Sequence, residues 1–201
     1  MDVYERTLRE AGFTRVAGAD EAGRGACAGP LVAAAVILGP SRPAGLDDSK
    51  RLTPTRRVAL YEAIVASALA WACVRVEADE CDRLGIQQAN LAALRQAVEA
   101  LQPAADFAVT DGFAVPGLGC PSIGMWKADQ LVEAVSAASI IAKVTRDAIM
   151  EAMAVELPGY GFEVHKGYAT PAHQGAIDSL GPSAQHRRSY RNVPDGRVVA
   201  L

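Results

Sequence analysis

GADEAGRGACAGPLVAAAVIL, residues 18–38, decides the fold. Two carboxylates, Asp20 and Glu21, precede a glycine-rich turn. Gly29-Pro30 then opens an unbroken apolar run, Leu31 to Leu38, closed by Gly39-Pro40. That run is short for a helix and is flanked by breakers, so it predicts a buried strand. Arg15 to Asp20 predicts a shorter strand entering the turn. The acids therefore stand at a strand end, where both can approach one site. Gly23-Arg24-Gly25-Ala26-Cys27-Ala28 also fits the loose dinucleotide-binding pattern. That fingerprint needs a helix directly after its glycines. Pro30 and a β-like run follow instead, so a nicotinamide-binding protein is the weakest of the readings.

Outward from this segment, strands and helices alternate. A short helix is expected over 3–11. Thr53-Pro54 reads as an N-cap with proline at the first helical position, opening a helix to about residue 70. Strands are expected over 71–78, 106–110 and 122–126, and helical periodicity over 79–101 with a break near Gly85. A long helix is expected over 129–156, a glycine- and proline-rich loop over 158–171 and a short helix over 171–180. The pattern predicts an α/β domain with a five-stranded mixed sheet flanked by helices. The expected division is a catalytic domain, 1–156, and a small C-terminal loop and helical extension, 157–201.

Half of the 201 residues are apolar, enough for a sizeable core. The net charge of −3 gives no bulk attraction to nucleic acid. Basic residues do cluster locally. Arg42, Lys50, Arg51, Arg56 and Arg57 face Asp47 and Asp48; Arg187, Arg188, Arg191 and Arg197 face Asp195. Each cluster fits either a solvated surface or a nucleic-acid contact. The four cysteines form no CxxC pair, and Cys27 and Cys73 read as reduced core residues. No signal-like segment or membrane-length apolar run occurs, which predicts a cytoplasmic protein without membrane contact.

Asp111 ends the fourth expected strand and Asp129 begins the long helix. Singly, each acid also fits an ordinary role, Asp111 in a turn and Asp129 on a helix dipole. Together with Asp20 and Glu21 they place acids at the ends of elements of one sheet, where α/β folds put active sites. Crowded carboxylates repel, and divalent cations relieve the repulsion. Oxygen-only donors suit Mg²⁺, and paired ions serve in-line phosphoryl displacement. No nucleophile elbow or P-loop occurs, and His165, His173 and His186 are spaced too irregularly for a zinc helix motif.

Taken with LDDSKRLT at 46–53, VTDG at 109–112, KADQLVEAVSAASIIAKVTRD at 127–147, PGYGFEVHKGYATPAH at 158–173 and GPSAQHRRSY at 181–190, the opening segment resembles ribonuclease HII over nearly the whole chain. The resemblance implies a ribonuclease H-like fold. It implies an endonuclease that hydrolyses the RNA strand of RNA–DNA hybrids and cleaves at single ribonucleotides embedded in duplex DNA, leaving 5′-phosphate and 3′-hydroxyl ends. It implies that Asp20, Glu21, Asp111 and Asp129 hold Mg²⁺ or Mn²⁺ and are catalytic. Gly23, Arg24, Gly25 and Tyr168 are then expected to read the step from ribonucleotide to deoxyribonucleotide. Glycines admit close backbone approach, and a tyrosine offers a ring and a hydroxyl to the sugar. Ser49, Lys50, Ser139, Lys143 and Arg146 occupy family-typical positions for phosphate contact. The last three recur at helical spacing and share a face.

This chain departs from the family pattern at Ala26-Cys27, at Ala128 before Asp129 and at Phe113 after Asp111-Gly112; no carboxylate is lost. Ribonuclease HIII carries an N-terminal substrate-binding domain, for which the 17 residues before the motif leave no room, and has Glu where Asp129 stands. A monomer is expected. The final residues, GRVVAL, lack the aromatic pair usual in clamp-binding tails. The alternative function is a catalytically weak hybrid-binding module of the same fold.

Overall fold

The structure is a computed structural model that describes residues 2–47 and 49–194. Asp48, Asp195, Arg197 and the GRVVAL tail lie outside the described residues. Five strands form one mixed sheet in the order β3-β2-β1-β4-β5. They are β1 (Val16–Ala22), β2 (Leu31–Ile37), β3 (Ala70–Val76), β4 (Phe107–Asp111) and β5 (Ser122–Met125). β1 pairs antiparallel with β2, Ala17 opposite Ile37 through Ala22 opposite Val32. It pairs parallel with β4, Val16 opposite Phe107 through Ala19 opposite Thr110. β4 pairs parallel with β5. All seven residues of β2 are buried, as its continuous apolar run predicts.

Among the described residues, seven helices accompany the sheet: α1 (Val3–Glu10), α2 (Pro54–Ser67), α3 (Ala78–Leu84), α4 (Ile86–Glu99), α5 (Glu133–Glu156), α6 (Phe162–His165) and α7 (Pro171–Leu180). The Thr53 hydroxyl accepts from the Arg56 amide, the expected N-cap of α2. A Cβ on Gly18 would lie 2.1 Å from the Ala134 carbonyl carbon, so only glycine lets α5 approach β1 this closely.

The observed elements differ from expectation in several places. The long helix begins at Glu133, and Asp129 lies in a 3-10 turn, Ala128–Gln130. The start of α5 is held by acids from the N-terminal segment. Asp2 accepts from the Glu133 amide at 2.7 Å and Glu5 from the Ala134 amide at 3.0 Å. Arg42 neutralises this group by pairing with Glu5 and Glu133, each at 2.5 Å. The expected loop 158–171 contains α6, a single turn between left-handed Gly161 and Lys166.

The chain divides into two compact units. The first comprises Met1–Ala22, Val32–Val74 and Leu91–Val144 and carries most of the sheet. The second comprises Gly23–Leu31, Arg75–Asn90 and Thr145–Leu201. Ala28, Met150, Met153, Tyr160 and Phe162 form a hydrophobic cluster in the second unit.

Candidate active site

In the first unit, Asp20 on β1 and Asp111 at the end of β4 fall on adjacent parallel strands, one step beyond the Ala19–Thr110 pair. Asp129 joins them from the 3-10 turn. One carboxylate oxygen from each of the three lies within 4.8 Å of the others. Asp20 and Asp129 are only 4% and 3% exposed. The loop that presents Asp129 is tied down at both ends. The Ala128 amide donates to Asp111 Oδ1 at 2.7 Å, and the Ser136 hydroxyl donates to the Asp129 carbonyl at 2.6 Å. Lys127, just before this turn, takes a left-handed conformation, φ 58°, uncommon outside glycine.

Burial, then Glu21, then Asp111 push the Asp20 carboxyl well above its ordinary pKa. The Glu21 amide, 2.8 Å away, and the Ser139 hydroxyl oppose the shift. Ser139 is itself buried and bonded to Ser49 at 2.8 Å. Lys50, 74% exposed, reaches within 3.6 Å of Asp129. Glu21 is half-buried and outside the three-carboxylate group. β1 continues through Ala22 rather than ending at Asp20, so strand alternation separates the neighbouring side chains. Buried or half-buried carboxylates with oxygen-only donors fit a hard divalent cation.

The second unit holds the expected sugar-reading residues. Gly23 has φ 87°, and a Cβ there would strike the Arg146 guanidinium. Arg146 is 1% exposed and donates to the carbonyls of Pro30 (2.9 Å), Lys166 (2.9 Å) and Ala28 (3.1 Å). Its guanidinium lies 5.5 Å from the Tyr168 ring centre. Burial lowers its pKa to about 10, which leaves it cationic at neutral pH. These bonds tie Arg146 to the backbone rather than presenting it to solvent. The helix face expected from Ser139, Lys143 and Arg146 is thus buried at two of its three positions, with Lys143 half-buried. Gly25 and Tyr168 are exposed, and Arg24 donates to Gln87 at 2.9 Å.

The C-terminal basic cluster is not uniformly a surface. Arg187 is fully buried and its partners are neutral oxygens. The buried, hydrogen-bonded places of Arg187, His173 and His186 do not follow from the sequence, because hydrogen bonds between distant loops leave no periodic signal. Arg187 and His186 fall in the HRRSY string, which packs against the glycine loop, and His173 closes the block 158–173.

Comparison with known proteins points the same way. A family model described as Ribonuclease HII matches residues 17–193. A ribonuclease HII from Cutibacterium acnes is 58% identical over 193 residues, spanning 94% of this chain and 95% of the relative. One from Salinispora tropica is 52% identical, spanning 94% and 71%. The crystal structure of ribonuclease H2 from Pyrococcus horikoshii OT3 aligns with a TM-score of 0.77 at 28% identity, covering 89% of this chain and 95% of that one.

Proposed function

The chain belongs to the ribonuclease HII family, and from that premise we propose that Asp20, Glu21, Asp111 and Asp129 are the catalytic carboxylates of an endonuclease acting at ribonucleotides in duplexes. The observation that carries the assignment is the convergence of Asp20, Asp111 and Asp129 within 4.8 Å from three separate elements. These carboxylates would hold Mg²⁺ or Mn²⁺, which when bound supplies positive charge to the phosphoryl group under attack. Asp20 is the central ligand, because its buried carboxyl faces charge from both Glu21 and Asp111. Lys50 stands beside Asp129 with its ammonium in solvent, suited to a phosphate oxygen. Ser49 and Ser139 hold each other and Ser139 bonds to Asp20, and Lys143, one turn further along α5, is a candidate for phosphate contact. Arg146 supports the glycine loop and Tyr168 from beneath.

Gly23, Arg24, Gly25 and Tyr168 read the ribose. Only RNA carries a 2′-hydroxyl, so discrimination requires a group that meets it. The substrates are RNA–DNA hybrids and DNA with embedded ribonucleotides, cut to 5′-phosphate and 3′-hydroxyl ends by a monomeric cytoplasmic enzyme that takes part in ribonucleotide excision repair. No helix among the described residues is long and apolar enough to cross a membrane. Nothing favours a non-catalytic binding module.

The test is a duplex with one internal ribonucleotide, incubated with Mg²⁺ or Mn²⁺. The wild type is expected to cut at that residue, and Asp20→Asn to lose at least ~10³-fold in rate. Undiminished cleavage by Asp20→Asn would remove the assignment.

A further inference from the structure

Within the second unit, one stretch, Ser183–Tyr190, is bonded to the glycine loop directly and to Tyr168 through His173. Its backbone zips to the glycine loop. The Arg187 amide donates to the Cys27 carbonyl at 2.8 Å, and the Gly29 amide donates to the Gln185 carbonyl at 2.8 Å. The Arg187 guanidinium then gathers the loop's carbonyls. Nη1 donates to Gly23 at 2.8 Å and Arg24 at 3.3 Å; Nε and Nη2 donate to Gly29 at 3.1 and 2.9 Å. Tyr190 completes the clamp, its hydroxyl donating to the Arg24 carbonyl and lying 3.2 Å from Arg187 Nη1.

Burying a cation among neutral oxygens, with no carboxylate partner among the described residues, is expensive. A hydrophobic residue of similar volume would fill the space at lower cost. What arginine adds is a rigid fork of N–H donors at fixed angles. A trans peptide is planar, so its carbonyl and the following N–H point in opposite directions. With the Gly23 and Arg24 carbonyls turned toward Arg187, the Arg24 and Gly25 amides are turned away from it. Gly25 is exposed, and its amide has no protein acceptor among the described residues.

A second chain of bonds runs from the same stretch to Tyr168. The Tyr168 carbonyl can only accept, so His173 Nδ1, 3.0 Å away, carries the hydrogen. The Ser183 amide donates to His186 Nδ1 at 3.0 Å, which leaves the His186 proton on Nε2. That nitrogen lies 3.1 Å from His173 Nε2, the remaining acceptor. The chain is consistent in one direction only, and it needs both rings neutral. Burial lowers the pKa of both, that of His186 to about 4.

We propose that Ser183–Tyr190 is the positioning element of ribose selectivity: Arg187 and Tyr190 fix the peptide planes of Gly23–Gly25, and His186 acts through His173 to fix Tyr168. This rests on the reading of Gly23–Gly25 and Tyr168 as the groups that meet the ribose.

The experiment compares kcat and KM on a single-ribonucleotide duplex and on an all-RNA strand paired with DNA, in the same metal, for Arg187→Met, Arg187→Lys, Tyr190→Phe and Tyr168→Ala. The single-ribonucleotide substrate has one ribose to register, so it depends most on correct presentation. Arg187→Met is expected to lower the ratio of kcat/KM, single-ribonucleotide over hybrid, about tenfold, mainly through kcat. Arg187→Lys is expected to recover part of the ratio and Tyr190→Phe to lower it about threefold. Faster amide hydrogen exchange across residues 23–25 in the same variants is the accompanying sign. Equal losses on both substrates, or an unchanged ratio in a folded variant, would overturn the proposal. If Arg187→Met fails to fold, Tyr190→Phe, which removes one hydroxyl, decides the matter. If Tyr168→Ala alters the ratio while the Arg187 and Tyr190 variants do not, the positioning role falls and the ribose reading stands. If Tyr168→Ala also leaves the ratio unchanged, the ribose reading falls with it.

Discussion

Burial and the charges of Glu21 and Asp111 hold the Asp20 carboxyl above its ordinary range. Its folded pKa is raised above the ordinary 3.8, so the folded chain keeps a proton that the unfolded chain has lost. Asp20's own contribution to metal-free stability therefore falls as pH rises through the window above 3.8, opposite in sign to that of the buried histidines. In the proposed ligand role Asp20 must lose that proton to hold a cation, so affinity for a divalent cation such as Mg²⁺ is expected to climb with pH across the same window. Calorimetric titration in two buffers of different ionisation enthalpy would show the proton release, and a release that is absent at every pH would refute it. Asp20→Asn removes one charge from the crowd. Without metal it is expected to be more stable by about 1 kcal/mol, roughly 2–4 °C in Tm for a chain of this size, and to lose the metal-induced gain.

Among the elements, the contact between β1 and α5 is the least forgiving. Gly18→Val would drive a side chain into the Ala134 backbone, 2.1 Å from where its Cβ must stand. We expect a loss above ~3 kcal/mol by denaturant titration, and a variant as stable as the wild type would show that α5 does not pack there. Elements with strong local signals were legible in the sequence. β2 followed from an apolar run between breakers, and α2 from Thr53-Pro54. The start of α5 was not, because the anchors that set it come from Asp2 and Glu5, far away in the chain. α6 was hidden because a four-residue helix has no period to read. The same division holds at the site. Asp20, Asp111 and Asp129 could be picked out as acids near the ends of expected elements, although β1 runs on past Asp20 and the long helix starts after Asp129. Burial of Arg146 and Arg187 could not, since an arginine string reads the same whether it faces water or carbonyls.

For the whole molecule, acid is the expected weakness. His173 and His186 have folded pKa values below the ordinary 6.5, so the unfolded chain binds protons more readily. Their contribution to stability is complete above about 6.5 and is lost as pH falls toward the folded values, about 4 for His186. His165, stacked on His173, and Arg188 add to the cost of charging the pair. Thermal melts between pH 7 and 4 should show Tm falling, with a shallower fall in His186→Asn; identical profiles would remove the histidines as the cause. The ties of Arg187 and of the histidines also separate two quantities that ionic conditions usually move together. A net charge of −3 leaves capture of a polyanion to local cations such as exposed Lys50, and salt weakens such contacts. Bonds to buried neutral carbonyls are screened far less. On the proposed ribose reading, rising ionic strength should therefore slow capture of the target without relaxing the choice between ribose and deoxyribose beside the cut.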